Sequence, residues 1–179
     1  MVIIVFGLPG TGKTKFAEKL SQYLQFDFLN TAAVRSKWIS SPTFSLKEKQ
    51  AVYLNLLQEM SEHMIESRNI VLEGSFYLRQ IRRDFHDVAR ILQKDLYWVE
   101  IVSDHYNSRL SRFRHDAAVA DKFTVYRKLF NRFEPMDSDH LVLEYNPDSK
   151  LDDLIGITVK EIPALAENME HNAKWKIKR

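Results

Sequence analysis

Residues 7–14 read GLPGTGKT and bring together the first group of side chains whose types and spacing point to chemistry. Gly7, Gly12, Lys13 and Thr14 occupy every fixed position of the pattern GxxxxGK[ST]. Such a stretch wraps a polyphosphate in backbone N–H groups, and its glycines remove side chains and permit unusual dihedrals. Leu8, Pro9, Gly10 and Thr11 complete the cradle. The helix that follows adds the partial positive charge of its N-terminus. Lys13 is then placed to reach the β- and γ-phosphates of a nucleoside triphosphate, and the Thr14 hydroxyl to complete a Mg²⁺ shell.

A second group must hold the metal or its waters, from the end of a neighbouring strand where ligands collect in open α/β sheets. Glu73 fits, because it ends the apolar run of NIVLEGSF and precedes Gly74. Charge that develops on a transferred phosphoryl group must also be neutralised, commonly by arginines on a segment closing over the site. In NSRLSRFRHD, Arg109 and Arg112 stand three apart and so share a helix face, with Arg114 following. The bland alternatives are a turn polar residue for Glu73 and a solvated basic face for the arginines; the cradle upstream favours the functional reading.

The elements that must position these groups alternate. Apolar runs rich in β-branched or aromatic residues at 2–6, 26–30, 69–73, 95–102 and 140–144 read as buried strands. Between them lie stretches of helical spacing at 13–24, from the Ser45/Glu48 capping-box pair toward Arg68, and at 77–93, 104–113 and 117–133. This predicts an α/β fold, a mostly parallel sheet with helices on both faces. Farther on, the sequence predicts a short helix at 149–155, stopped by Gly156, then a second capping box at Thr158 and Glu161 and a distortion at Pro163.

Composition narrows the function classes. At 179 residues and 45% hydrophobic, the chain reads as one domain, residues 1–179, with a flexible tail at 172–179. The 26 Lys+Arg against 24 Asp+Glu leave a formal charge of +2, so a nucleic-acid partner is allowed and not indicated. The terminal KWKIKR reads as a solvated tail rather than a basic anchor. With no cysteine, thiolate catalysis and Cys-based zinc sites are excluded. The six histidines show no metal-ligand spacing, and a structural hydrogen bond is the reading for His140. No apolar run nears the roughly 18 residues that span a bilayer, and Gly7 and Pro9 break the first run too early for a signal peptide. The expectation is a cytoplasmic protein without a membrane partner, and no feature sets an oligomeric state.

Three segments lie near the presumed acceptor side. Arg79, Arg82 and Arg83 follow Glu73 at a helix start, and Arg83 is kept as a substrate-binding candidate. Trp38 is kept because it lies close to Arg35, with Phe44 beside it. Tyr126, Phe130 and Phe133 form a helical stripe that reads as core.

From residue 2 to about 147, the order GLPGTGKT, LNTAAVR, IVLEGSF, SRLSRFRHDAAVADKF and RFEPMDSDHLVLE resembles the small P-loop kinases grouped with the AAA-type ATP-binding domain family, relatives of zeta toxin, chloramphenicol phosphotransferase and polynucleotide kinase. The resemblance implies a three-layer P-loop NTPase fold with a five-stranded sheet in the order 2-3-1-4-5. It also implies ATP as phosphate donor, Mg²⁺ as cofactor, a lid around 104–125 carrying Arg109 and Arg112, and Arg35 on the acceptor. With Lys13 and Glu73, read above from the cradle and the strand end, these lid arginines make up the catalytic candidates. Where the family motif has an aspartate that orients or deprotonates an acceptor hydroxyl, this chain has Ala32, and no acid stands between Thr31 and Lys37. Three outcomes stay open: a kinase using Glu73 or an already ionised acceptor, an ATP-binding or ATP-hydrolysing regulatory protein that has lost transfer, and a polynucleotide kinase.

Overall fold

A computed structural model describes residues 1–43, 45–103, 124, 126–146, 148–162 and 164. The chain divides into two compact units, Met1–Asn146 and Pro147–Arg179.

In the first unit, β1 (Val2–Phe6), β2 (Asp27–Asn30), β3 (Ile70–Glu73), β4 (Leu96–Val102) and β5 (Leu141–Glu144) form one sheet in the order β2-β3-β1-β4-β5. Every neighbouring pair is parallel. The fold class and the strand order implied by the sequence motifs are thus those observed. All five residues of β1 are fully buried, as expected of a central parallel strand covered on both faces. Its side chains alternate: Val2, Ile4 and Phe6 join one core with Val52, Leu56 and Met60 of α3 (Leu46–Ile65) and Phe85 and Ala89 of α4 (Arg79–Ile91). Ile3 and Val5 are buried outside that core, as are Phe16, Ala17 and Leu20 of α1 (Lys13–Leu24), the helix packed on β1, β2 and β3. Aromatic edge-to-face pairs run through the α3/α4 side, with Phe76 at 5.1 Å from Phe85 and 5.4 Å from Trp98.

Register brings the functional ends together. Val5 pairs with Glu73, Glu73 with Asn30, and Phe6 with Glu100. The turns after β1, β2, β3 and β4 therefore open on one edge of the sheet. The chain winds to β2 and β3 on one side of β1 and to β4 and β5 on the other, the topology that leaves a crevice at the C-terminal edge beside β1.

Local structure departs from the sequence expectations in three places. Residues after β2 form α2 (Thr31–Trp38), which the sequence pattern does not mark as a helix; Asn30 caps it by accepting from the Ala33 N–H at 2.7 Å. At the start of α3, the Ser45 hydroxyl accepts from the Glu48 N–H at 3.2 Å, but the Glu48 carboxylate turns to Thr43 and Arg35 instead of closing the box. In the second unit, α5 (Leu151–Glu161) runs straight through Gly156. Glycine costs only about 1 kcal/mol against alanine there, and Thr158 lies inside the helix with its hydroxyl donating to the Leu154 carbonyl at 2.8 Å, so it caps nothing. Pro163, Phe44, the helices expected at 104–113 and over 117–123, and the tail at 172–179 lie outside the described residues.

Candidate functional site

Strand β1 delivers residues 7–14 into the crevice. Gly12 is the N-cap of α1 at φ 92°, and no side chain caps that terminus. The first turn also lacks acidic residues, so its N–H groups and partial positive charge are left to an anion. A Cβ on Gly7 would lie 2.5 Å from the Ile101 carbonyl oxygen, and Gly7 holds φ 140°; the cradle can sit against β4 only because this residue has no side chain.

Lys13 begins α1 and is buried. Its Nζ donates to the Leu8 carbonyl at 3.2 Å and lies 3.6 Å from Glu73 Oε1. The Thr14 side chain neighbours the Glu73 carboxylate and favours its charged form. Burial pulls the Lys13 ammonium below its ordinary value and lifts the Glu73 carboxyl above its own; in each case the partner's charge opposes the shift. A hydroxyl and a carboxylate side by side at the cradle mouth are hard oxygen donors. This is the donor set for Mg²⁺, a cation usually held by one or two protein groups together with phosphate oxygens and waters. Thr14 and Glu73 fit that role, and the uncapped terminus fits the phosphates.

Glu73 is followed by a strained turn. Phe76 adopts φ 42°, a left-handed conformation unusual for a bulky residue. Two buried side chains hold it: the Tyr53 Oη accepts from the Phe76 N–H at 2.9 Å, and Arg82 Nη1 donates to the Phe76 carbonyl at 2.9 Å. Arg82 Nη2 also donates to the carbonyls of Glu134 and Pro135. Ser75 and Tyr77, flanking this turn, face a cavity of about 520 Å³. Lys13, Glu73 and Pro9 form its cradle side, and Arg35, Lys49 and Lys128 line it as well. A second cavity of about 340 Å³ lies beside Leu8 and Thr11, walled by Ile101, Tyr126, Phe130 and Phe133. It contains neither Lys13 nor Glu73; of the two cavities, the larger is the one these residues line.

The structure thus gathers Lys13, Glu73 and Arg35 around one opening, with Thr14 beside Glu73. It places two other sequence candidates elsewhere. Trp38 is 59% exposed with Lys37 over its ring, because α2 buries only Val34. Arg83 is exposed and paired with Asp137 at 3.4 Å. Its neighbour Arg82, about 100° round the helix, is the buried one. Phe130 of the aromatic stripe is 57% exposed rather than core. His140 bonds Glu100 Oε2 at 3.1 Å and the Ser138 carbonyl at 3.0 Å. Arg109, Arg112 and Arg114 fall outside the described residues. Residues the sequence reading missed are Thr43, Lys49, Tyr53, Ser75, Tyr77 and Lys128. Lys49 and Tyr53, four apart beside the buried stripe of α3, were the nearest thing to a signal.

A parallel β2-β3-β1-β4-β5 sheet carrying this cradle at its C-terminal edge is the fold of the P-loop kinases. The sequence profile of the family described as Chromatin associated protein KTI12 matches residues 1–141. The chain belongs to that family. Its structure is similar to that of Kti12 from Chaetomium thermophilum in complex with ADP-AlF3, at 20% identity and TM-score 0.62 over 90% of this chain and 98% of that one. It is also similar to the Mycobacterium tuberculosis APS kinase CysC in complex with AMPPNP and APS (16% identity, TM-score 0.67, 93% and 96% covered). A gluconokinase from Sinorhizobium meliloti aligns with TM-score 0.64 at 15% identity, covering 96% of each chain. No curated protein matches this sequence. No helix among the described residues is long and apolar enough to cross a membrane.

Proposed function

We propose that the protein is an ATP-dependent phosphotransferase that takes the ATP phosphates on residues 7–14 and moves the γ-phosphoryl group to an acceptor in the adjoining cavity. The observation that carries this reading is the position of Lys13 and Glu73: they belong to the cradle and line the cavity at once. A group transferred from the cradle to the cavity passes beside this pair.

In this reading the uncapped first turn of α1 and the backbone of residues 7–12 bind the β- and γ-phosphates, and Lys13 follows the charge as it shifts during transfer. Thr14 and Glu73 would hold Mg²⁺, which would supply positive charge to neutralise the phosphate oxygens. Arg35 orients the acceptor from α2. Arg109 and Arg112 are assigned the lid role by their spacing after β4, as in the phosphotransferases the motifs resemble. The complexes of the similar APS kinase with AMPPNP and of the similar Kti12 with ADP-AlF3 support the choice of nucleotide.

The test is ADP release over a panel of hydroxyl and phosphate acceptors, with Lys13→Ala as the comparison. Losing the charged contact is expected to weaken ATP binding about tenfold to hundredfold and to abolish transfer. Unchanged ATP affinity and turnover in Lys13→Ala would refute the cradle assignment.

A second reading, an ATP-hydrolysing regulatory protein without a dedicated acceptor, is favoured by Ala32. This residue is exposed on α2, where no carboxylate is present, and the family's description as chromatin associated is compatible with it. Ala32→Asp separates the two. A decayed kinase regains transfer, whereas an enzyme that works without this base gains nothing.

A further inference from the structure

The larger cavity carries an excess of positive charge that the cradle does not explain. Among the described residues lining it, four are cationic and one, Glu73, is acidic. Lys13 and Glu73 are engaged with each other. The other three cations, Arg35, Lys49 and Lys128, come from α2, α3 and the helical turn at 126–130. The Arg35 Nε is fixed by Glu48 Oε1 at 2.8 Å, and Glu48 also accepts from the Thr43 N–H and hydroxyl at 2.5 and 3.0 Å. That carboxylate is therefore engaged by three donors. Lys49 lies half-buried with its ammonium 5.6 Å from the centre of the Tyr77 ring. No ion pair joins Lys49 or Lys128 to a carboxylate among the described residues. Burial, then the positive charges of Arg132 and Arg35, pull the Lys49 ammonium below its ordinary value, against the smaller opposing effect of the Glu48 carboxylate. Lys49, half-buried on α3, and Lys128, exposed at the rim, thus present positive charge from two elements to an anion in this concavity.

Among the described residues, the cavity offers no unpaired base. A hydroxyl acceptor must lose a proton, and Glu73, the one carboxylate among the described lining residues, is paired with Lys13 at the cradle mouth. Ala32 supplies nothing in its place. A phosphomonoester needs no such help, since its oxygens are already ionised.

We propose that the cavity lined by Arg35, Lys49 and Lys128 takes a small phosphomonoester, and that an ionised oxygen of that phosphate is itself the acceptor. The proposal rests on the phosphotransferase reading above. In the step, the phosphomonoester oxygen forms a bond to the γ-phosphorus of ATP, and the bond from that phosphorus to the β,γ-bridging oxygen breaks. The electron pair leaves with ADP, no proton moves, and the acceptor becomes a diphosphate.

The experiment uses the full chain and begins with calorimetric titration of AMPPNP, which tests the cradle alone. With AMPPNP saturating, inorganic phosphate, ribose 5-phosphate and AMP are titrated against ribose and adenosine at fixed ionic strength. The phosphorylated probes are expected to bind and the others not. Lys49→Gln and Lys128→Gln should each weaken that binding about tenfold while AMPPNP affinity holds, and Lys49→Arg should retain it. With ATP in place of AMPPNP, phosphorus NMR should show a new diphosphate linkage on the probe. Equal binding of phosphate-free probes, no binding of any phosphorylated probe, or insensitivity to both lysine variants would overturn the proposal. So would binding confined to a 5′-phosphorylated oligonucleotide, which would make the surface a nucleic-acid site. Failure of AMPPNP to bind the unaltered chain would instead refute the phosphotransferase reading itself.

Discussion

Replacing Gly12 by alanine probes how the cradle is built. Gly12 holds φ 92° and ψ 1° as the N-cap of α1, a region that costs an L-residue about 1–2 kcal/mol. The new Cβ would lie 2.3 Å from Cδ1 and 2.5 Å from Cε1 of Tyr145. No contact survives at that distance, so the ring must swing aside, at about 0.5–1.5 kcal/mol if it leaves its rotamer. Backbone movement offers little relief, because the Tyr145 N–H donates to the Val102 carbonyl at 2.8 Å at the end of the sheet. The expected loss is about 2–3 kcal/mol of unfolding free energy, read by urea denaturation. Tyr145→Ala removes the obstacle. In the double variant the steric share disappears and the dihedral strain stays, so the cycle should show a coupling of about 1 kcal/mol. AMPPNP affinity should fall in Gly12→Ala and remain low in the double variant, since the strain distorts the N–H groups that face the phosphates. Strict additivity, or a Gly12→Ala protein as stable as the unaltered chain, would refute the geometry.

Two further outcomes test the turn after β3. Tyr53→Phe deletes the acceptor of the buried Phe76 N–H, with a second contact to the Ser75 hydroxyl at 3.3 Å; it should cost about 1–3 kcal/mol in the same denaturation assay, and a loss within noise would show that the strained turn does not depend on it. Glu73→Gln reports on the buried carboxyl, which burial lifts above its ordinary value of 4.5. The native chain then keeps this proton to higher pH than the unfolded chain does. Its contribution to stability is complete below about pH 4.5 and is lost as pH rises through the folded value. The stability of the unaltered chain minus that of Glu73→Gln should therefore decline with rising pH, by at most about 1.4 kcal/mol per unit. A difference that is flat, or that grows with pH, would contradict the burial argument.

What was legible in the sequence was what is contiguous. The cradle needs eight successive residues and one backbone path, so GLPGTGKT announces it, and β1 and α1 follow from the runs on either side. Glu73 was legible because a strand end is marked by where apolar residues stop. The acceptor side was not, because its wall is assembled from α2, α3, the β3–α4 turn and residue 128, whose proximity depends on sheet order and helix phase. Adjacent residues then have opposite fates: Arg82 points inward to three carbonyls while Arg83 meets solvent. A sequence names both as basic residues on one helix and gives no phase until the core face is known. The helix at residues 31–38 was missed for a related reason, since its single buried residue, Val34, leaves no apolar period to read.

This division has a consequence for function. The cradle is tied to the framework: a side chain on Gly7 would meet the Ile101 carbonyl of β4, and one on Gly12 would meet the Tyr145 ring just after β5. Lys49 and Lys128 hang from helical surfaces, and replacing them disturbs no buried hydrogen bond among the described residues. Arg35 is intermediate, because its Nε–Glu48 bond also ties α2 to the start of α3. Changes at the two lysines should redirect what the protein acts on while leaving fold and nucleotide binding intact, whereas changes at Arg35 should disturb acceptor and stability together. On the phosphotransferase reading, a nucleotide half is built into the sheet and an acceptor half is carried on side chains, a division that would let one fold serve many acceptors.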